Sequence, residues 1–253
     1  MALALAAMII AAPAHAADMA PAAAYYPATP VAPAVYNWTG FYVGGNVGVG
    51  LLPDRATQAA TGFVVLPTPI NVNPIGLVGG AQAGVDYQFS SVVVGAQASW
   101  SMSNLNGNSI VTATSPANTQ ERLTAAPRWF ASATGRLGYA DNTLLFYVKG
   151  GGAWMHIEHV EDSLKLGGAT IASQSISDTR SGVTGGVGLE YAMTENLSAL
   201  FEYDYYDFGS KVENFNPTVG TPLSIRSYLH TLTVGLNWRF TPAPSGQRFC
   251  PTC

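Results

Sequence analysis

Tyr228-Leu229-His230-Thr231-Leu232-Thr233-Val234-Gly235-Leu236-Asn237-Trp238-Arg239-Phe240 is the stretch that decides the fold. Successive side chains of an extended strand point to opposite sides. Tyr228, His230, Leu232, Val234, Leu236, Trp238 and Phe240 therefore share one face, and Thr231, Thr233, Gly235, Asn237 and Arg239 share the other. The first face is apolar with aromatics towards both ends. The second is small and thinly charged.

The same division recurs upstream. Leu77, Ala81, Ala83, Val85, Tyr87 and Phe89 oppose Gly80, Gln82, Gly84, Asp86 and Gln88. Val92, Val94, Ala96, Ala98 and Trp100 oppose Gly95, Gln97, Ser99 and Ser101. Val183, Val187, Leu189 and Tyr191 oppose Thr184, Gly186, Gly188 and Glu190. Period-two segments are read at 38–50, 77–89, 92–102, 128–140, 144–157, 181–193, 197–208 and 226–240. Each is near the length of a tilted membrane strand, about 9–11 residues, with some overhang. Connections alternate between tight turns (Ser90-Ser91, Asp141 to Thr143, Thr194 to Asn196) and long stretches that are polar or rich in Pro, Gly and Asn (51–76, 103–127, 158–180, 209–225). Short turns at one end and long loops at the other are the outer-membrane pattern. The expectation is an all-β fold, an eight-stranded antiparallel up-and-down transmembrane β-barrel over 37–240. An even strand count returns both termini to the short-turn side, expected to be the periplasm.

Alternation alone does not say which face meets the core. A water-facing surface carries about 25–35% charged residues, and the polar faces here fall well short of that. They suit the inside of a narrow barrel, while the nearly charge-free apolar faces suit hydrocarbon. Aromatic girdles support this orientation. Trp38, Phe41, Tyr87, Phe89, Tyr139, Phe146, Tyr191, Trp238 and Phe240 lie near the short turns; Trp100, Trp129, Trp154, Tyr205 and Tyr228 lie near the long loops.

Composition agrees. Charged residues make up 10% of the 253-residue chain, against roughly 25% in ordinary soluble proteins. The net charge of −4 gives no basic footprint for nucleic acid. Leu3 to Ala12 is a short apolar run before an Ala14-His15-Ala16 cleavage triplet, which predicts a signal peptide over 1–16. No Lys or Arg precedes the run, so the leader is expected to be atypical or to begin upstream of Met1. Residues 17–36, rich in Ala and Pro, predict a periplasmic linker. Both cysteines lie in Cys250-Pro251-Thr252-Cys253, within a tail over 241–253. The body therefore has no disulfide framework, although an oxidising periplasm would let these two pair.

The opening Tyr36-Asn37-Trp38-Thr39-Gly40-Phe41-Tyr42-Val43-Gly44-Gly45-Asn46 resembles that of the alphaproteobacterial outer-membrane immunogenic proteins, also called porin-like small barrels. The likeness continues through Val234-Gly235-Leu236-Asn237-Trp238-Arg239-Phe240. It implies outer-membrane lipid, lipopolysaccharide and the barrel-assembly machinery as partners. The family's terminal Phe resembles the signal that this machinery reads, whereas here Thr241 to Cys253 follow Phe240.

Candidate chemistry is sparse. Asp86, Arg136, Lys149, Glu190, Glu202, Asp204 and Arg239 are expected inside the barrel, as a plug of ion pairs in preference to a gated ion path. Their burial demands pairing, and eight strands enclose a space that side chains fill. His156 and His159 are candidate metal or haem ligands, and the family that the chain resembles, some of whose members are described as hemin binders, makes hemin a candidate ligand; a solvated loop with incidental histidines is the preferred reading. His230, near Ser227 and Tyr228, permits an enzyme reading, but no acid is placed to orient it. Gly150-Gly151-Gly152 and Gly185-Gly186 lack the Lys-Ser/Thr and helix of a phosphate loop. No cofactor, catalytic residue or nucleic-acid partner is expected. The function expected is structural, in envelope integrity with surface-exposed loops. A narrow porin and a surface protein binding hemin or a host ligand are the alternatives.

Overall fold

A computed structural model of the chain describes residues 36–58, 70–112, 119–165, 170–214 and 222–240. The expected leader, the linker up to residue 35 and the tail with Cys250 and Cys253 lie outside the described residues. The elements are β1 (Gly40–Leu51), β2 (Asp54–Gln58), β3 (Ile70–Val72), β4 (Ile75–Phe89), β5 (Val92–Ser103), β6 (Gly107–Thr112), β7 (Thr119–Asp141), β8 (Leu144–Lys165), β9 (Thr170–Ala192), β10 (Leu197–Asn214) and β11 (Pro222–Phe240).

Eight of these make the wall, in the order β1-β4-β5-β7-β8-β9-β10-β11, all antiparallel to their neighbours. β1 then pairs with β11, from Phe41 opposite Phe240 to Leu51 opposite His230. The sheet closes on itself as an up-and-down barrel. Closure removes the unpaired backbone edges that hydrocarbon cannot solvate. At the tight turns, Ser90 and Asn142 take φ values of 56° and 51°, the left-handed geometry that two-residue hairpins require.

Apolar side chains point away from the barrel axis. Val47, Leu77, Val94, Leu137, Val148, Val187, Phe201 and Val234 are exposed, while Gln82, Gln97, Thr134, Lys149, Thr184 and Glu202 are buried. Two aromatic bands bound the apolar zone. Phe41, Tyr87, Phe89, Tyr139, Phe146, Tyr191, Trp238 and Phe240 are exposed at the short-turn end, and Trp100 and Trp154 towards the long loops. Tyr228 and Trp238 are ten residues apart on β11. At ~3.4 Å per residue and a ~40° tilt, that is about 26 Å along the axis, matching a lipid-facing band of about 25 Å.

Two expectations are corrected. Trp38 is not a girdle residue: it is 0% exposed and lies in the short-turn mouth of the barrel. It precedes β1, so strand alternation does not govern where it points. The long connections are also largely strand. β8 runs to Lys165, β9 starts at Thr170, β7 at Thr119 and β11 at Pro222, while β10 continues to Asn214. β2 continues the wall against β11, β3 pairs with β2, and β6 pairs with β7. Beyond the bilayer neither face of a strand touches lipid. The hydrogen-bond ladder can continue there while the apolar/polar contrast fades.

Candidate functional site

The candidate site is the barrel lumen, which is stacked in layers. At the short-turn end, Trp38, Val93, Ala140, Leu145, Tyr147 and Ala192 form an apolar cluster, with Tyr36 packed against it. The residues before β1 fold back across this mouth. Trp38 Nε1 donates to the carbonyl of Asn142 (3.1 Å), and the Trp38 amide donates to Gln88 Oε1 (2.8 Å).

Above this cap sit four charges of the inward faces: Asp86 on β4, Arg136 on β7, Glu190 on β9 and Arg239 on β11. All are buried. Arg239 Nη1 donates to Asp86 Oδ2 at 3.0 Å, and Arg239 Nη2 lies 3.4 Å from Glu190 Oε1. Arg136 pairs with Glu190 Oε2 through Nη2 and lies 3.7 Å from Asp86 through Nη1. The formal charges cancel. Neutral donors complete the carboxylate shell, as a buried ion pair requires: Ser198 Oγ and Asn237 Nδ2 both donate to Glu190 Oε1.

Two tyrosines roof this layer. The Arg136 guanidinium lies 5.4 Å from the Tyr42 ring centroid and 3.8 Å from that of Tyr147, within cation–π range. Each ring lies over a glycine directly opposite on the next strand, Gly84 for Tyr42 and Gly188 for Tyr147. A Cβ at either glycine would run into the ring. That close approach is what the two glycines permit.

Midway up, Lys149 Nζ bridges Glu202 (3.0 Å) and Asp204 (3.1 Å), which share the inward face of β10. Tyr147 also donates its hydroxyl to Glu202. Asn46 donates to Gln82 (2.8 Å) and Gln82 to Asn237 (2.7 Å), linking this level to the one below. The cavity left here is about 10 Å³, room for about one water. Towards the long loops the lumen turns apolar. Leu52, Val78, Leu105, Phe130, Met155, Ile157, Tyr206, Phe208, Ile225 and Leu229 pack across it as one cluster.

All seven charges named from the sequence are thus buried in the lumen, in two clusters. The two histidines are not brought together. His159 faces inward and is buried. His156 faces outward, stacked on Trp129 at 5.8 Å and hydrogen-bonded to Thr179. Residues three apart on one strand occupy opposite faces. His230 and Ser227 separate for the same reason: Ser227 is buried and accepts from Arg180 (3.0 Å), whereas His230 contacts the Tyr203 hydroxyl outside (2.8 Å). Among the described residues no three His, Cys, Asp or Glu side chains group as a metal site. The sequence reading missed the Trp38 cap, the Tyr42 and Tyr147 roofs, and Arg180. For the tyrosines and Arg180 the signal was an odd offset from the outward Val43, Val148 and Val183 of their own strands, which puts them on the opposite, inward face.

Residues 2–240 match the profile of a family described as "Outer membrane protein beta-barrel domain". The chain is similar to a Brucella melitensis protein named "31 kDa outer-membrane immunogenic protein". They are 31% identical over 224 residues, covering 85% of this chain and 89% of that one. It is also similar to the "25 kDa outer-membrane immunogenic protein" of Brucella abortus, 25% identical over 212 residues, covering 81% and 80%. Among solved structures, the outer membrane protein OprG from Pseudomonas aeruginosa aligns over 81% of this chain and 99% of its own at 11% identity, with a TM-score of 0.48.

Proposed function

This chain belongs to the outer membrane protein β-barrel domain family and resides in the outer membrane, and from that premise we propose that it serves the envelope as a closed barrel: a structural element that anchors in lipid and displays its long-loop end at the cell surface. The observation that carries this reading is the layered lumen. Apolar clusters stand at both ends, with paired charges between them. A water column would have to cross two greasy layers, and hydrophobic constrictions block ions by dewetting.

The termini lie on the periplasmic side in this reading, and the barrel-assembly machinery inserts the chain. The immunogenic character named for the Brucella relatives fits a long-loop end that antibodies can reach. No catalytic role is proposed, and the hemin reading gains nothing from two histidines on opposite faces of β8. The test is conductance of purified, folded monomer in planar bilayers, together with solute uptake by liposomes. The expected result is no steady channel. Stable channels from the unmodified protein would overturn the closed barrel in favour of a narrow porin.

A further inference from the structure

One place on the outer wall breaks the pattern of charge at the long-loop rim. Arg55 on β2 stands directly opposite Arg226 on β11 in the antiparallel register, and both are exposed. Directly opposed residues share a face, and like charges there repel. Three other cations at this rim stand by acids of the chain. Arg128 pairs with Glu158 at 2.6 Å and Lys211 with Asp178 at 2.6 Å, and Arg122 stands opposite Asp162. The two opposed arginines have much less. Arg226 touches Asp207 at 3.4 Å with half its side chain in the open, and Arg55 makes no ion pair among the described residues. The neighbouring stretches 59–69 and 215–221 contain no Asp or Glu at all. Among the described residues the opposed pair thus meets one carboxylate, Asp207, and it lies against Arg226.

The pair also sits at a telling height. Arg226 lies 4.9 Å from the ring centroid of Tyr228, two residues nearer the lipid band. Tyr228 stacks on Tyr205 at 5.9 Å, and Tyr205 meets His230 at 5.0 Å. Aromatics of this kind mark the boundary between acyl chains and headgroups. Two residues of a tilted strand raise the arginines about 5 Å above that boundary, into the headgroup layer.

We propose that Arg55 and Arg226 form a site for a phosphate group of an outer-leaflet glycolipid, lipid A, with Tyr205, Tyr228 and His230 seating the sugar and the first methylenes. Guanidinium groups take phosphate oxygens in paired hydrogen bonds. A phosphate between the two would turn their repulsion into a bridge. The inference rests on the long-loop end facing outward, and is independent of whether the lumen conducts.

The experiment is native mass spectrometry of the full chain, folded in detergent and titrated with bis-phosphorylated lipid A, with fully dephosphorylated lipid A as the comparison. Heat-modifiable gel mobility verifies that each variant is folded. Lipid adducts are expected on the unmodified protein and should fall about tenfold in R55A/R226A, while R128A keeps them, because Arg128 already has its own acid. Inorganic phosphate at millimolar concentration should not displace the lipid. Equal adducts in R55A/R226A, equal binding of the dephosphorylated lipid, or displacement by inorganic phosphate would each overturn the site.

Discussion

Glu190 holds the lower charge layer together, since both arginines of that layer reach it. Substituting Glu190→Ala leaves two buried cations against Asp86 alone, and breaking a buried pair in this way costs about 3–5 kcal/mol. The midpoint of urea unfolding, followed by tryptophan fluorescence in detergent, should drop accordingly. The double variant Arg136→Ala/Glu190→Ala restores neutrality and should lose clearly less than the two single losses added together. Simple additivity would mean that the pair is not coupled. A second residue-scale test concerns the tyrosine roofs. Gly188→Ala puts a Cβ into the Tyr147 ring, which is itself wedged over Arg136. Overpacking of this kind costs about 1–3 kcal/mol. Gly152→Ala meets only the rim of Trp154 at 3.7 Å, an ordinary contact, and should unfold at the same urea concentration as the parent. If the two alanines behave alike, the close approach at Gly188 is not what limits packing there.

At the scale of elements, strands that cross the bilayer were legible and strands that leave it were not. Alternation marked Val92 to Trp100 and Tyr228 to Phe240 because one face must be greasy and the other must fit inside a narrow tube. The same rule placed Asp86, Arg136 and Glu190 on the polar faces, but it could not say which charge meets which, since that depends on register around the ring. It also failed at its own boundary. Ser173 to Thr179 reads as a polar connection, yet it pairs residue by residue with β8. Its outward side chains, Ser173, Ser175, Ser177 and Thr179, are polar because the wall there has left the lipid, so the greasy outer face that marks a membrane strand is missing. Trp38 was misread for the complementary reason: an aromatic beside a strand looks like a girdle until the chain before β1 turns inward. The extended ladder has a measurable consequence. In hydrogen exchange of the folded protein, amides of β8 from Ile157 to Asp162 should be protected well beyond exposed loop amides, and those of β9 from Gln174 to Thr179 with them, because buried or laddered amides exchange only through opening. Exchange at loop rates in both segments would return 158–180 to an ordinary connection.

For the whole molecule, the seals act in series, and this makes the closed barrel testable beyond the parent chain. The lower seal is the Trp38 cap with its ion-pair layer; the upper is the apolar cluster around Ile225 and Leu229. Emptying one leaves the other intact. Trp38→Ala/Arg136→Ala/Glu190→Ala opens the lower cap and thins the ion-pair layer without leaving a lone charge there, and Ile225→Ala/Leu229→Ala opens space above, each apolar truncation costing about 2–5 kcal/mol. Either set alone should leave planar bilayers silent, because a single intact apolar layer still excludes water. Only the fivefold variant should pass small ions, with the chamber of Lys149, Glu202 and Asp204 then joined to both mouths. If the lower set alone conducts as well as all five together, the upper cluster is not a barrier. The resting barrel would then be held shut at its short-turn end only, as a gate would be and a structural plug need not be.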